Sequence, residues 1–253
     1  MPGAAEIVFV ALIGLAIGSF LNVVVHRLPL GESLSTPRSR CAGCGVAIAT
    51  YDNIPVVSWI ALGGRCRNCK APISARYPIV EALTAATFAA VAAARGFDAG
   101  LALELPFAAV LIAVAAIDLD HRIVPNRILL PAAVWGIAAG LAVWTGFMPE
   151  ALAAGAGAFA FLMLAALAYP AGMGMGDVKL AGVMGLYLGL EVIPALAAAF
   201  VAGTVVGLAM IVREGGGARK KGVPFAPFLA LGGLVSLLVG DDLISLYADS
   251  LLE

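Results

Sequence analysis

The chain has 253 residues, 62% of them hydrophobic and only 12% charged, with a mean hydropathy of +1.03. That excludes an ordinary soluble globular domain and leaves a polytopic membrane protein. The net charge of −1 says nothing about nucleic acid, and no nucleic-acid partner is expected.

The first apolar run, Ile7 to Val25, holds 19 uncharged residues. No basic region precedes it and no small-residue cleavage site follows, so it reads as a retained span rather than a signal peptide. Basic residues begin at His26 and Arg27, which places its C-terminal end in the cytoplasm. A polar segment from His26 to Tyr77, rich in Gly, Pro, Arg and Cys, then reads as a small folded insert. Further apolar runs recur around 78–94, 99–117, 128–148, 151–171, 178–190, 192–212 and 223–240, giving eight candidate spans with the first. The run after Asp177 is short: at ~1.5 Å per residue it covers about two thirds of the ~30 Å hydrocarbon core. Glu191 and Pro194 suggest a tight connection to the next span.

The basic residues test this count, since short cytoplasmic loops should hold Lys and Arg. With the N-terminus outside, the inner loops hold Arg27, Arg38, Arg40, Arg65, Arg67, Lys70 and Arg76; then Arg122 and Arg127; then Lys179; then Arg213, Arg219, Lys220 and Lys221. Of the 15 Lys and Arg residues only Arg95 falls elsewhere. The expectation is an all-α polytopic membrane protein of about eight transmembrane helices, both termini external. Its parts are a first helix (1–25), a cytoplasmic insert (26–77) and a membrane core (78–253). The apolar positions of the segment from Asp241 to Glu253 suggest an interfacial helix.

On this topology Asp118 closes the third span and Asp177 opens the sixth at the same membrane face. A carboxylate at membrane depth persists only where it faces protein or water, which makes both functional candidates. Two carboxylates brought close can share a proton, one acting as base toward a water and the other as acid. Gly172, Gly174 and Gly176 are suited to close backbone approach and to positive φ, which would let an extended peptide run beside Asp177, with Gly174 and Gly176 as substrate contacts. The bland alternative makes Asp177 an N-cap and Asp118 a solvated loop residue. Asp120 rivals Asp118, and local spacing does not choose between them.

Cys41 and Cys44, a 21-residue spacer, then Cys66 and Cys69 form two C-x2-C knuckles, the pattern of a four-thiolate structural zinc site of ribbon type. Stable disulfides are disfavoured in a reducing cytoplasm. Zinc would fix an insert too poor in apolar residues to fold alone. Between the knuckles, Asn53 to Trp59 could pack against the site or rest on the membrane interface.

With these residues in view the chain resembles the type IV prepilin leader peptidases, membrane aspartic proteases of bacterial pilus and type II secretion systems. The resemblance rests on Gly18 to Pro29, the cysteine knuckles, Asn53 to Trp59, Arg76 to Glu81, and Ile117 to Asp120 with Pro125 and Asn126. It continues through Gly174 to Lys179 and Val223 to Phe228. It implies an inner-membrane enzyme whose catalytic pair is Asp118, seven residues before Pro125, and Asp177. It implies prepilin or pseudopilin substrates cut on the cytoplasmic side after a Gly. It further implies N-methylation of the new N-terminus with S-adenosylmethionine, for which Asn22 and Glu81 are candidates. Asn22 reads equally as an interhelical hydrogen-bonding residue, and Glu81 as the partner of a nearby Arg. Two other classes compete: a proton- or cation-coupled transporter with a zinc-bearing regulatory loop, and a scaffold protein. Acids at one face rather than mid-membrane, and no recognisable inverted repeats, count against the transporter. The sequence does not set the oligomeric state.

Overall fold

A computed structural model describes residues 2–170, 172–214 and 223–252. Among the described residues the chain is helical, with two isolated antiparallel bridges and no named strand. It divides into two compact units, Met1–Ala93 and Ala94–Glu253.

The first unit holds helix α1 (Ala4–Arg27), the insert with its short helix α2 (Val57–Ala61), and most of helix α3 (Arg76–Arg95). Gly14 and Gly18, four residues apart, let α1 lie directly on α3. A methyl at either would fall 2.7 Å from the Cα of Ala85 or Glu81, the small-residue contact by which helices associate in lipid. Within the insert the two knuckles repeat one hydrogen-bonded turn. Cys41 N–H donates to Val46 O at 2.9 Å and Cys66 N–H to Ala71 O at 2.9 Å. The residue after each second cysteine is left-handed, Gly45 at φ 71° and Lys70 at φ 60°.

The second unit contains α4 (Leu101–His121), α5 (Asn126–Val143), α6 (Met148–Ala168), α7 (Met175–Leu188), α8 (Val192–Glu214) and α9 (Ala226–Leu252). Pro106 inside α4 has no N–H for the Ala102 carbonyl; the Trp135 indole of α5 donates to that carbonyl instead, at 2.9 Å. Helix α6 packs antiparallel to α7, with Gly155 facing Gly182 and Gly185: a methyl on Gly185 would lie 2.5 Å from Gly155 Cα. Phe107 of α4 stacks on Tyr187 of α7 with ring centroids 4.5 Å apart.

Seven stretches are long and apolar enough to cross a membrane; one of them, Met175–Arg213, spans 39 residues. That stretch is two helices. A 3₁₀ turn at Gly189–Glu191, with Gly189 at φ 54°, reverses the chain. Accordingly Ser236 of α9 meets Glu191 at the start of α8, whereas Gly203 faces Phe225 and Phe228 at the start of α9. The turn lies a few residues earlier than Pro194, which sits in the first turn of α8. The protein is thus an all-helical, multi-pass membrane protein of eight long helices among the described residues.

One expectation changes. The segment from Asp241 onward is no separate interfacial helix but continues α9 without a break to Leu252, because no Gly or Pro interrupts it beyond Gly240. Arg95 explains one end of that helix. Its guanidinium bonds Asp241 at 2.5 Å, Glu191 at 2.6 Å and the Leu237 carbonyl at 2.8 Å, with Glu104 3.6 Å away. The cation outside the basic loops is therefore held by three acids. The cluster Arg219, Lys220 and Lys221 lies outside the described residues.

Candidate active site

Asp118 occupies the last turn of α4, which ends at Arg122 in the left-handed region (φ 54°), its N–H closing on Asp118 O at 2.9 Å. The Asp118 side chain is 5% exposed, and its Oδ2 accepts the N–H of Ala226, the first residue of α9, at 3.2 Å. A carboxylate at a helix N-terminus also faces the positive end of that helix's dipole. Asp120, two residues on, is exposed. Burial thus distinguishes the two acids that spacing alone left level, Asp118 buried and Asp120 exposed.

Asp177 is the third residue of α7. Its Oδ2 accepts the N–H of Gly174 at 3.3 Å, and it is 8% exposed. The capping reading therefore holds in part, yet a solvated cap would not be buried. Gly176, the residue before Asp177, packs on Val124, so the start of α7 lies against the loop that follows Asp118.

Neighbouring residues fix the start of α7. Lys179 Nζ donates to Asn126 Oδ1 at 3.1 Å, tying the start of α7 to the start of α5. A methyl on Gly176 would fall 2.7 Å from Val124 Cβ, so only glycine lets α7 begin this close to the loop that follows Asp118. The expectation of positive φ is not met: Gly172, Gly174 and Gly176 are all outside that region, and Gly174 is extended at φ −81°. The role of Gly176 is close approach, and the side it closes on is the protein's own loop. Val124 and the Ala226 amide were not singled out as site residues, although Val124 directly precedes Pro125 and Asn126 and Ala226 lies in the segment Val223 to Phe228, both among the residues carrying the resemblance.

In the first unit the sulfurs of Cys41, Cys44, Cys66 and Cys69 all lie within 4.8 Å of one another, with Cys41 and Cys69 3.7 Å apart. Four thiolates at ~2.3 Å around a tetrahedral zinc would have sulfurs about 3.8 Å apart, so the set fits that ion. The N–H groups of Cys69 and Asn68 pull the Cys66 thiol down to about 7. Cys69 behaves oppositely: the Ala71 N–H favours its thiolate, but burial and the other three sulfurs push it up to about 11. The four sulfurs cannot all ionise together without a cation among them. Arg67 bonds Asp52 in bidentate fashion, at 2.7 and 2.9 Å, and lies over Tyr51, holding the second knuckle to the turn at Thr50–Asn53.

Asn22 and Glu81 belong to this unit too. Asn22 Nδ2 donates to Tyr77 O at 3.1 Å, which makes it an interhelical hydrogen-bonding residue. Glu81, 7% exposed, accepts the N–H of Val56 at 2.7 Å rather than an Arg. Val56 lies at φ 61°, ψ −51°, with Val57 N–H on Pro55 O at 2.6 Å. That is a γ-turn of the rarer hand, strained for a β-branched residue and sustained by its surroundings.

A multi-pass helical protein with two buried aspartates at helix ends and a four-cysteine insert is a narrow class, and known proteins of that class match it. Residues 12–95 match the bacterial peptidase A24 N-terminal domain, and residues 105–208 match the type IV leader peptidase family. The chain is 36% identical to a prepilin leader peptidase/N-methyltransferase of Aeromonas hydrophila, over 96% of this chain and 94% of that protein. Relatives of the same name stand at 35% identity in Burkholderia pseudomallei strain 1026b (95% and 87% covered) and 34% in Pseudomonas aeruginosa (93% and 91%). No solved structure matches. The chain belongs to the type IV leader peptidase family.

Proposed function

We propose that this protein is a prepilin peptidase of the bacterial inner membrane. It removes the basic leader of prepilins or pseudopilins through Asp118 and Asp177 and methylates the new N-terminus. The observation that carries the reading is the burial of both aspartates, in a chain of this family whose α7 begins against the loop that follows Asp118. One carboxylate takes a proton from water as it attacks the scissile carbonyl, and the other donates a proton to the leaving amine. The Ala226 and Gly174 amides orient the two carboxylates, and Lys179 and Asn126 hold α7 in register.

The arrangement of basic loops supports a cytoplasmic position for this bundle end and for the insert, with both termini outside. A prepilin docks laterally, its apolar helix in lipid and its leader in the cytoplasm, so depth selects the bond cut. Zinc held by the four cysteines is structural, since no ligand position remains open. S-adenosylmethionine supplies the methyl group when bound; Asn22 and Glu81 serve that reaction as anchors of the insert, through Tyr77 and Val56. Incubating the purified full chain with a prepilin in detergent and reading products by mass spectrometry tests the proposal. Cleavage after the Gly that precedes the mature N-terminus supports it, and an intact prepilin at saturating enzyme refutes it.

A further inference from the structure

The geometry points to a lipid-docking surface on the insert of the first unit: the exposed apolar edge of Ile54, Val57 and Ile60 rests on the anionic headgroup layer beside α3. The placement comes from one bond. Val56 N–H is held by Glu81, five residues inside α3 and so about 7.5 Å along its axis. Helix α3 has 20 residues, or about 30 Å, the hydrocarbon thickness itself. The turn bonded to Glu81 therefore lies at the hydrocarbon boundary and not out in water.

At that depth the insert shows apolar side chains outward. Ile54, Val57 and Ile60 are 49%, 59% and 66% exposed, and Val57 and Ile60, three apart, share one face of α2. The opposite face is fixed inward: Ser58 Oγ bonds Tyr51 O, and Trp59 Nε1 bonds Ile73 O at 3.0 Å. The strained turn at Val56 sets this orientation, and such strain persists where it has a use.

Charge selects the occupant. Arg38, Arg40, Arg65 and Lys70 are exposed and make no ion pair among the described residues, while Asp52 is taken by Arg67. Between residues 28 and 75 the only acids are Glu32 and Asp52. An insert with that excess of positive charge attracts anionic lipid and repels the basic leader of a prepilin. This inference rests on α3 crossing the membrane and not on the protease assignment.

The test places p-benzoyl-phenylalanine at Ile60 in the full chain with its zinc, and in a second protein at Val46, half-exposed on the first knuckle. Both are irradiated in nanodiscs of phosphatidylcholine alone or mixed with phosphatidylglycerol, and zinc content confirms that each insert is intact. Lipid adducts should exceed those at position 46 by roughly tenfold and rise with phosphatidylglycerol. Equal labelling at the two positions, no response to phosphatidylglycerol, or crosslinks from position 60 to a second copy or to added prepilin in place of lipid would overturn the assignment.

Discussion

Replacing Gly176 with Ala tests whether the start of α7 must lie against the loop after Asp118. The added methyl would meet Val124 Cβ at 2.7 Å and Cγ2 at 3.1 Å, against about 3.7 Å for relaxed carbon contacts. Val124 has little room to yield, being β-branched and next to Pro125, so α7 or the loop must move by about 1 Å. Overpacking of that kind destabilises by about 1–3 kcal/mol. The larger effect is on rate: Asp177 is the next residue, and a 1 Å misplacement of a catalytic group can lower turnover by ~10²-fold. The control is Gly174→Ala, whose methyl meets Asp177 Oδ2 at an ordinary 3.4 Å. Cleavage of a prepilin in detergent, with thermal unfolding to confirm the fold, should show a loss of ~10–100-fold for Gly176→Ala and far less for Gly174→Ala. Wild-type turnover by Gly176→Ala would refute the claim that this contact sets the aspartate geometry.

Other predictions concern sites away from the pair. Arg95→Ala leaves Glu104, Glu191 and Asp241 without their cation; the loss should be on the order of 2 kcal/mol in unfolding experiments, below the ~3–5 of a wholly buried pair because part of the guanidinium reaches solvent. Stripping the metal should loosen the insert and impair methylation more than cleavage, measured on one prepilin with both products resolved; equal loss would mean that the insert supports the protease itself. Because Cys69 is raised to about 11 while Cys66 is lowered to about 7, the metal-free cluster retains protons near neutrality. Zinc must displace those protons, so its affinity should rise from pH 6 to pH 8 with proton release on binding, and calorimetry in buffers of different ionisation enthalpy reads that release directly.

Much of the fold is written in the hydropathy: each apolar run became a helix, and the reversal near Glu191 followed from length and basic-loop placement. What the sequence left open depended on neighbours distant along the chain. Spacing did not separate Asp118 from Asp120, for which the resemblance was needed, and the amide that meets Asp118 belongs to Ala226, 108 residues away. Gly176 looked like a source of backbone freedom because its neighbours are glycines, but the contact that requires it is with Val124. Arg95 broke the charge rule for a reason carried by Glu104, Glu191 and Asp241, three acids on different helices or turns. Glu81 looked like a partner for arginine, yet its carboxylate holds a strained backbone turn that no local pattern announces.

The most direct test of the paired-aspartate account replaces Asp118 and Asp177 with Asn, singly, in the purified full chain, and follows prepilin cleavage in detergent. Each variant should insert and unfold like the wild type yet lose cleavage by roughly 10²–10⁴-fold or more, the scale of one acid–base group. A variant that keeps full cleavage would contradict the account.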